Sequence, residues 1–142
     1  MNEKTLKKRV DEILLKAIAS YAGKCWWNLD DVVQACYAGI SDFDIGDAMR
    51  SLGFGFDHPD SEALYAAAQE EAKKRAGDPV AEYREGYGGD APCWQIFADR
   101  SIIERTNAGR EPWADISDYL SHLLNDCGLD EDDEVVKFIR EQ

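Results

Sequence analysis

Pro92-Cys93-Trp94-Gln95-Ile96-Phe97-Ala98-Asp99-Arg100-Ser101-Ile102-Ile103-Glu104-Arg105-Thr106 is the stretch on which the fold class turns. Trp94, Phe97, Ile102 and Ile103 can line one face of a helix. Residues 101–106 can instead form a short strand, because a brief apolar run does not declare its period. The helical reading is preferred. It makes the chain all-α, with at most a minor strand near 101–106.

The segments after this stretch read as helices. Asn107-Ala108-Gly109 is a turn. From Pro112 to Cys127 the residues Ile116, Tyr119, Leu120, Leu123, Leu124 and Cys127 keep helical spacing, and Gly128 stops the helix. Asp130 then caps a last helix carrying Val135, Val136, Phe138 and Ile139.

Moving toward the N-terminus, Gly86-Tyr87-Gly88-Gly89-Asp90 is the most flexible interior stretch. Asp78-Pro79 reads as a cap followed by proline at the first helical position, opening a short helix that ends by Gly86. Ser61 to Ala76 forms an alanine-rich, peripheral helix after a loop at 53–60. Ser41 caps another helix with Asp44 three residues on, and Ile45, Ala48, Met49 and Leu52 are its apolar face. Asn28 caps the helix before it, which buries Leu29, Val32, Val33, Cys36 and Tyr37 and ends at Gly39. The pair at 29–53 resembles a helix-turn-helix. The first helix, with Leu6, Val10, Ile13, Leu14, Ala17, Ile18 and Tyr21 on one face, stops at Gly23. The expectation is a compact single domain over 1–142, built from six to eight short helices around one core.

Charge is the strongest signal. The chain carries 16 Lys plus Arg against 29 Asp plus Glu, a net charge of −13. Residues 1–24 are slightly basic, at +3. Residues 25–72 and 111–136 each carry −9. Such a surface repels nucleic acid and anionic membranes and attracts basic ones. It disfavours DNA reading by the helix pair, whose second helix would set Asp42, Asp44 and Asp47 against phosphates. Capping and the helix macrodipole account for part of the acidity, a cap being worth about 0.5–2 kcal/mol. Helical phase sends Asp42, Asp44, Asp47, Asp115 and Asp118 to the solvent side. Asp130 to Glu134 is a continuous acidic run.

The sequence carries few groups placed for chemistry. Cys25, Cys36, Cys93 and Cys127 form no close pair, and His58 and His122 are far apart, so zinc spacing is absent. Asp42-Phe43-Asp44-Ile45-Gly46-Asp47 starts like a calcium loop. Its glycine stands one place early, however, and Gly53 occupies the bidentate glutamate's position. Cys36 and Cys127 fall on apolar helix faces, where thiols are commonly buried. Asp118 and His122 are spaced to meet on one helix face, an arrangement more often a solvent-exposed pair than a site. His58 lies in a loop and reads as a turn or capping residue as readily as a base. No serine, threonine or cysteine is set beside a base, and no cofactor, metal or catalytic residue is expected. The start of the chain reads as a charged helix rather than a signal segment, which implies a cytoplasmic protein with reduced thiols.

Trp26 and Trp27 are adjacent and cannot both face one core, so one of the two, Trp26 or Trp27, is left to anchor a partner, with Trp27 the candidate. The functional expectation is a non-enzymatic acidic protein that engages a basic, nucleic-acid-binding surface of a partner protein and inhibits it. Phage or plasmid inhibitors of restriction and CRISPR systems, and nuclease-immunity proteins, work in this way through nucleic-acid mimicry. Its contact residues would be Asp42, Asp44, Asp47, Asp115, Asp118, Asp130, Asp132 and Asp133, with Trp27. The alternatives are an adaptor using an exposed aromatic patch, and a small enzyme using His58 or His122.

Overall fold

Ile102 and Ile103 are both fully buried. The stretch that decides the fold is two strands rather than a helix, and each isoleucine serves a different face. A computed structural model describes residues 1–22, 33–89, 91–107 and 109–142. Among these residues are six helices and a four-stranded antiparallel sheet. The chain is therefore α+β, which corrects the all-α expectation. The described residues divide into two compact units, one of residues 1–22 and 36–77, the other of 33–35, 78–89, 91–107 and 109–142.

The first unit is helical. Its elements are α1 (Glu3–Ala22), most of α2 (Gln34–Gly39), α3 (Asp42–Ser51) and α4 (Ser61–Ala76). The α1 stripe of Val10, Ile13, Leu14, Ala17, Ile18 and Tyr21 is buried as its spacing requires. Ile45, Ala48 and Met49 of α3 are buried too, while Leu52, expected on that face, is exposed. On α4, Leu64, Ala68, Ala72 and Ala76 form a buried row of mostly small side chains. The helix packs against both α1 and α3, so it is part of the core rather than peripheral. Arg75 on α4 bonds Glu71 and Asp11, and its guanidinium lies over the Tyr37 ring. The described part of the expected helix-turn-helix is the α2–α3 pair. Its earlier residues, and the Asn28 cap, lie outside the described residues.

The second unit is a meander of β1 (Ala81–Arg84), β2 (Cys93–Ile96), β3 (Ile102–Thr106) and β4 (Gly109–Trp113), followed by α5 (Ile116–Asn125) and α6 (Glu134–Arg140). The register sets Trp94 opposite Tyr83 and Glu104, and Ile96 opposite Ala81 and Ile102. Alternation along each strand then collects Ala81, Tyr83, Trp94, Ile96, Ile102 and Trp113 on one face. Ile116, Tyr119 and Leu123 of α5 and Val135, Val136 and Ile139 of α6 complete this core.

Two predicted helices are corrected here. The segment after Asp78-Pro79 is β1, an edge strand whose side chains alternate between half-buried and exposed. Pro112, expected to open a helix, lies in β4, the other edge strand, opposite Ile103. Proline is tolerated on an edge because no further strand needs its missing N–H. The helix itself begins at Ile116 and ends at Asn125. Among the described residues no helix is long and apolar enough to cross a membrane.

Candidate functional site

The acidic residues singled out by charge have different structural duties. On α3, Asp44 is half-buried and completes a capping box. Its Oδ2 accepts the Ser41 N–H at 2.7 Å while Ser41 Oγ accepts the Asp44 N–H. Asp47 is exposed and paired with Arg50. Asp42 is exposed and makes no ion pair among the described residues. In the second unit, Asp115 caps α5 by accepting the Ser117 N–H at 2.7 Å, and Arg100 lies 3.8 Å away. Asp133 caps α6 through the Val135 N–H at 2.9 Å. Asp118, Asp130 and Asp132 are exposed and make no ion pair among the described residues. The run from Asp130 to Glu134 does have basic neighbours: Arg140 reaches Glu131 at 3.3 Å and Lys137 lies 3.8 Å from Glu134. Asp42, Asp44 and Asp47 belong to the first unit and the other five to the second. Trp27 and Trp26 lie outside the described residues.

A feature of the first unit was not read from the sequence. Phe56 in the loop after α3 is 98% exposed and Phe43 on α3 is 70% exposed. Phe56 lines an open cleft of about 470 Å³ whose walls also include Met49, Arg50, Phe54, Glu62 and Tyr65. The Arg50 guanidinium sits 5.9 Å from the Phe43 ring centre. The Tyr65 hydroxyl donates to the Asp42 carbonyl oxygen at 3.5 Å. Glu62 lines the cleft with Phe56, Asp47 pairs with Arg50, and Asp42 and Asp57 adjoin Phe43 and Phe56 in the chain. The available signal was phase: Phe43 lies off the Ile45–Met49 stripe. His58, in the same loop, accepts the Asp60 N–H at Nδ1 (3.1 Å) and meets Phe54 edge-on at 5.3 Å. It therefore does the work of a turn residue.

The second unit brings three reactive side chains together. His122 Nδ1 lies 3.0 Å from Asp126 Oδ2, and His122 Nε2 lies 3.4 Å from Cys127 Sγ. Two expectations are corrected. The partner of His122 is Asp126, not Asp118. Cys127 is exposed and beside a base, whereas helical spacing puts it on a buried face with no base near it. The cause is local. Five residues along a regular helix the side chains point about 140° apart, but α5 ends at Asn125, and past that point the chain turns Cys127 back to His122. Cys36 is buried, as its phase implied, and Cys93 is buried as well. Burial and the neighbouring Glu82 push the Cys93 thiol up.

Trp113 stacks on His122 with ring centres 4.8 Å apart. Behind it runs a polar chain. Trp94 Nε1–H donates to Tyr119 Oη at 2.9 Å, and Tyr119 donates to Glu104 Oε2 at 3.1 Å. Burial raises Glu104 above the usual carboxylate range, against the Tyr119 hydrogen bond, and Glu111 adds to the rise. Burial and Glu104 push Tyr119 up strongly. Among the described residues no group of three His, Cys, Asp or Glu side chains is arranged to hold a metal ion. No family model, curated protein or solved structure matches the chain.

Proposed function

We propose that this chain is a non-enzymatic binding protein whose α3–α4 face engages a basic, partly apolar surface of a partner protein. The observation that carries the reading is the near-complete exposure of Phe56 in a cleft shared with Arg50 and Glu62, where Arg50 also meets the exposed Phe43 ring and pairs with Asp47. An exposed phenylalanine in the cleft and a second one linked to it through Arg50 offer the kind of apolar surface that marks interaction sites. The carboxylates around it select a cationic partner and steer its approach. This is a mixed surface rather than a row of phosphate substitutes, since Asp44, Asp115 and Asp133 are occupied as caps. A groove that binds nucleic acid offers the required basic charge, and occupying it would inhibit the partner.

The test is retention of proteins from a lysate of the encoding organism, at low and moderate salt. Wild type is compared with Phe43→Ala/Phe56→Ala and with Asp42→Lys/Asp47→Lys. A basic protein held by wild type, lost with either double variant, weakened by salt and displaced by DNA supports the full reading. Retention unchanged in both variants sinks it.

A further inference from the structure

At the C-terminal end of α5 the base His122 lies within contact distance of a nucleophile, Cys127, on one ring nitrogen and of an orienting carboxylate, Asp126, on the other. We propose that Cys127 is a reactive thiol, activated by His122 and Asp126, that exchanges with small disulfides and prefers cationic ones, making it a site of mixed-disulfide modification. The arrangement is that of an activated nucleophile whose base is held by a third group. With Nδ1–H donated to Asp126, Nε2 presents its lone pair to the thiol.

The step balances without a further reagent. His122 Nε2 takes the Cys127 proton, and the thiolate attacks one sulfur of the disulfide. A bond forms between Cys127 Sγ and that sulfur as the reagent's own S–S bond breaks. The Cys127 sulfur is oxidised and the departing sulfur reduced. The departing thiolate then takes the proton from His122.

The surroundings set reactivity and preference. The end of a helix favours an imidazolium and disfavours a thiolate to a similar degree, so the Asp126–His122–Cys127 contacts decide. The aromatic rings of Trp113 and Tyr119 flank the imidazole. The charged groups acting on it are Asp126 and, from β3, Glu104. Asp118, Asp130 and Glu131 are exposed on the same unit, and residues 78–142 hold sixteen acidic groups against six basic ones. An anionic disulfide is repelled by this field and a cationic one attracted.

The experiment treats the protein with cystamine or oxidised glutathione and follows mass and rate across mildly acidic to neutral pH. Cys25, outside the described residues, is replaced by serine, and Cys127→Ser is the blank. One cysteamine adduct per chain is expected, mapped to Cys127. Its rate at mildly acidic pH should be roughly tenfold above that of a free cysteine. His122→Gln should remove that excess and restore the steep rise with pH of an ordinary thiol, and Asp126→Asn should remove part of it. Oxidised glutathione should react several-fold more slowly, the gap narrowing as salt is added. An adduct on Cys36 or Cys93, or equal rates and pH profiles for wild type and His122→Gln, overturns the proposal. Equal rates for both disulfides overturn the charge preference. Should His122→Gln lose its helical circular dichroism, the profile of the unmutated His122 protein decides: a retained rate at mildly acidic pH supports activation, and the slope of an ordinary thiol overturns it.

Discussion

Glu104 and Glu111 stand directly opposite each other on β3 and β4, two carboxylates on the sheet face that carries the core. Burial raises Glu104, and Glu111 adds to it. The folded chain therefore holds the Glu104 proton to higher pH than the unfolded chain does. That contribution to stability is fully present below the ordinary glutamate range and is lost as pH rises through the raised value. Urea unfolding should show stability increasing from neutral to mildly acidic pH. Glu104→Gln, which keeps an acceptor for Tyr119, should flatten that slope. Glu82 acts in a different window. It is held low by hydrogen bonds from Gln95, Cys93 and Arg84, so its contribution is present above the ordinary range and lost as pH falls through the lowered value. An unaltered slope in Glu104→Gln would count against this account.

Arg100 has φ +69°, the left-handed region, in the tight loop where Phe97 N–H donates to Ser101 O at 2.9 Å. Glycine suits that conformation and arginine does not. Arg100→Gly should raise stability by about 0.5–1 kcal/mol, since the left-handed backbone costs a non-glycine residue about 1–2 kcal/mol and the exposed pair with Asp115 is worth little. Chemical denaturation is the check, and a loss of stability would refute it. The same residue explains why the sheet was missed. A glycine at 100 would have marked a hairpin between Ile96 and Ile102, and arginine conceals it. Ile102 and Ile103 are buried on opposite faces, so β3 lacks the alternation that identifies a strand. Helices α1 and α3 were legible because each has a single apolar stripe, and α4 because its alanine and charged residues favour a helix.

Ser41→Ala should cost about 1 kcal/mol, because the α3 capping box loses its hydroxyl. Asp42→Lys, one residue on and exposed, should stay within about 0.5 kcal/mol. Thermal unfolding of the two variants measures the difference. Equal effects would mean that the cap contributes nothing. The contrast also shows how much of the candidate site was legible. Sequence located the carboxylates but did not separate Asp44, Asp115 and Asp133, whose oxygens accept backbone N–H groups, from Asp42, Asp118, Asp130 and Asp132, whose oxygens face solvent. Cys127 was illegible for another reason: helical phase was extended two residues past the end of α5.

Gly39, the last residue of α2, leaves room for the Tyr21 ring of α1, and a Cβ there would overlap the hydroxyl and the adjoining ring carbons. Two effects compete in Gly39→Ala. Alanine is the better helix former by about 1 kcal/mol, while a forced shift of a buried ring costs about 1–3 kcal/mol. Tyr21 is buried and has little space to yield, so the clash should win and the variant should be less stable. The explanation makes a sharper demand in a double-mutant cycle. In a Tyr21→Leu background the side chain no longer reaches Gly39, and the same alanine should cost about 1 kcal/mol less than in wild type. Additive effects of the two substitutions would show that the ring and the glycine do not constrain each other.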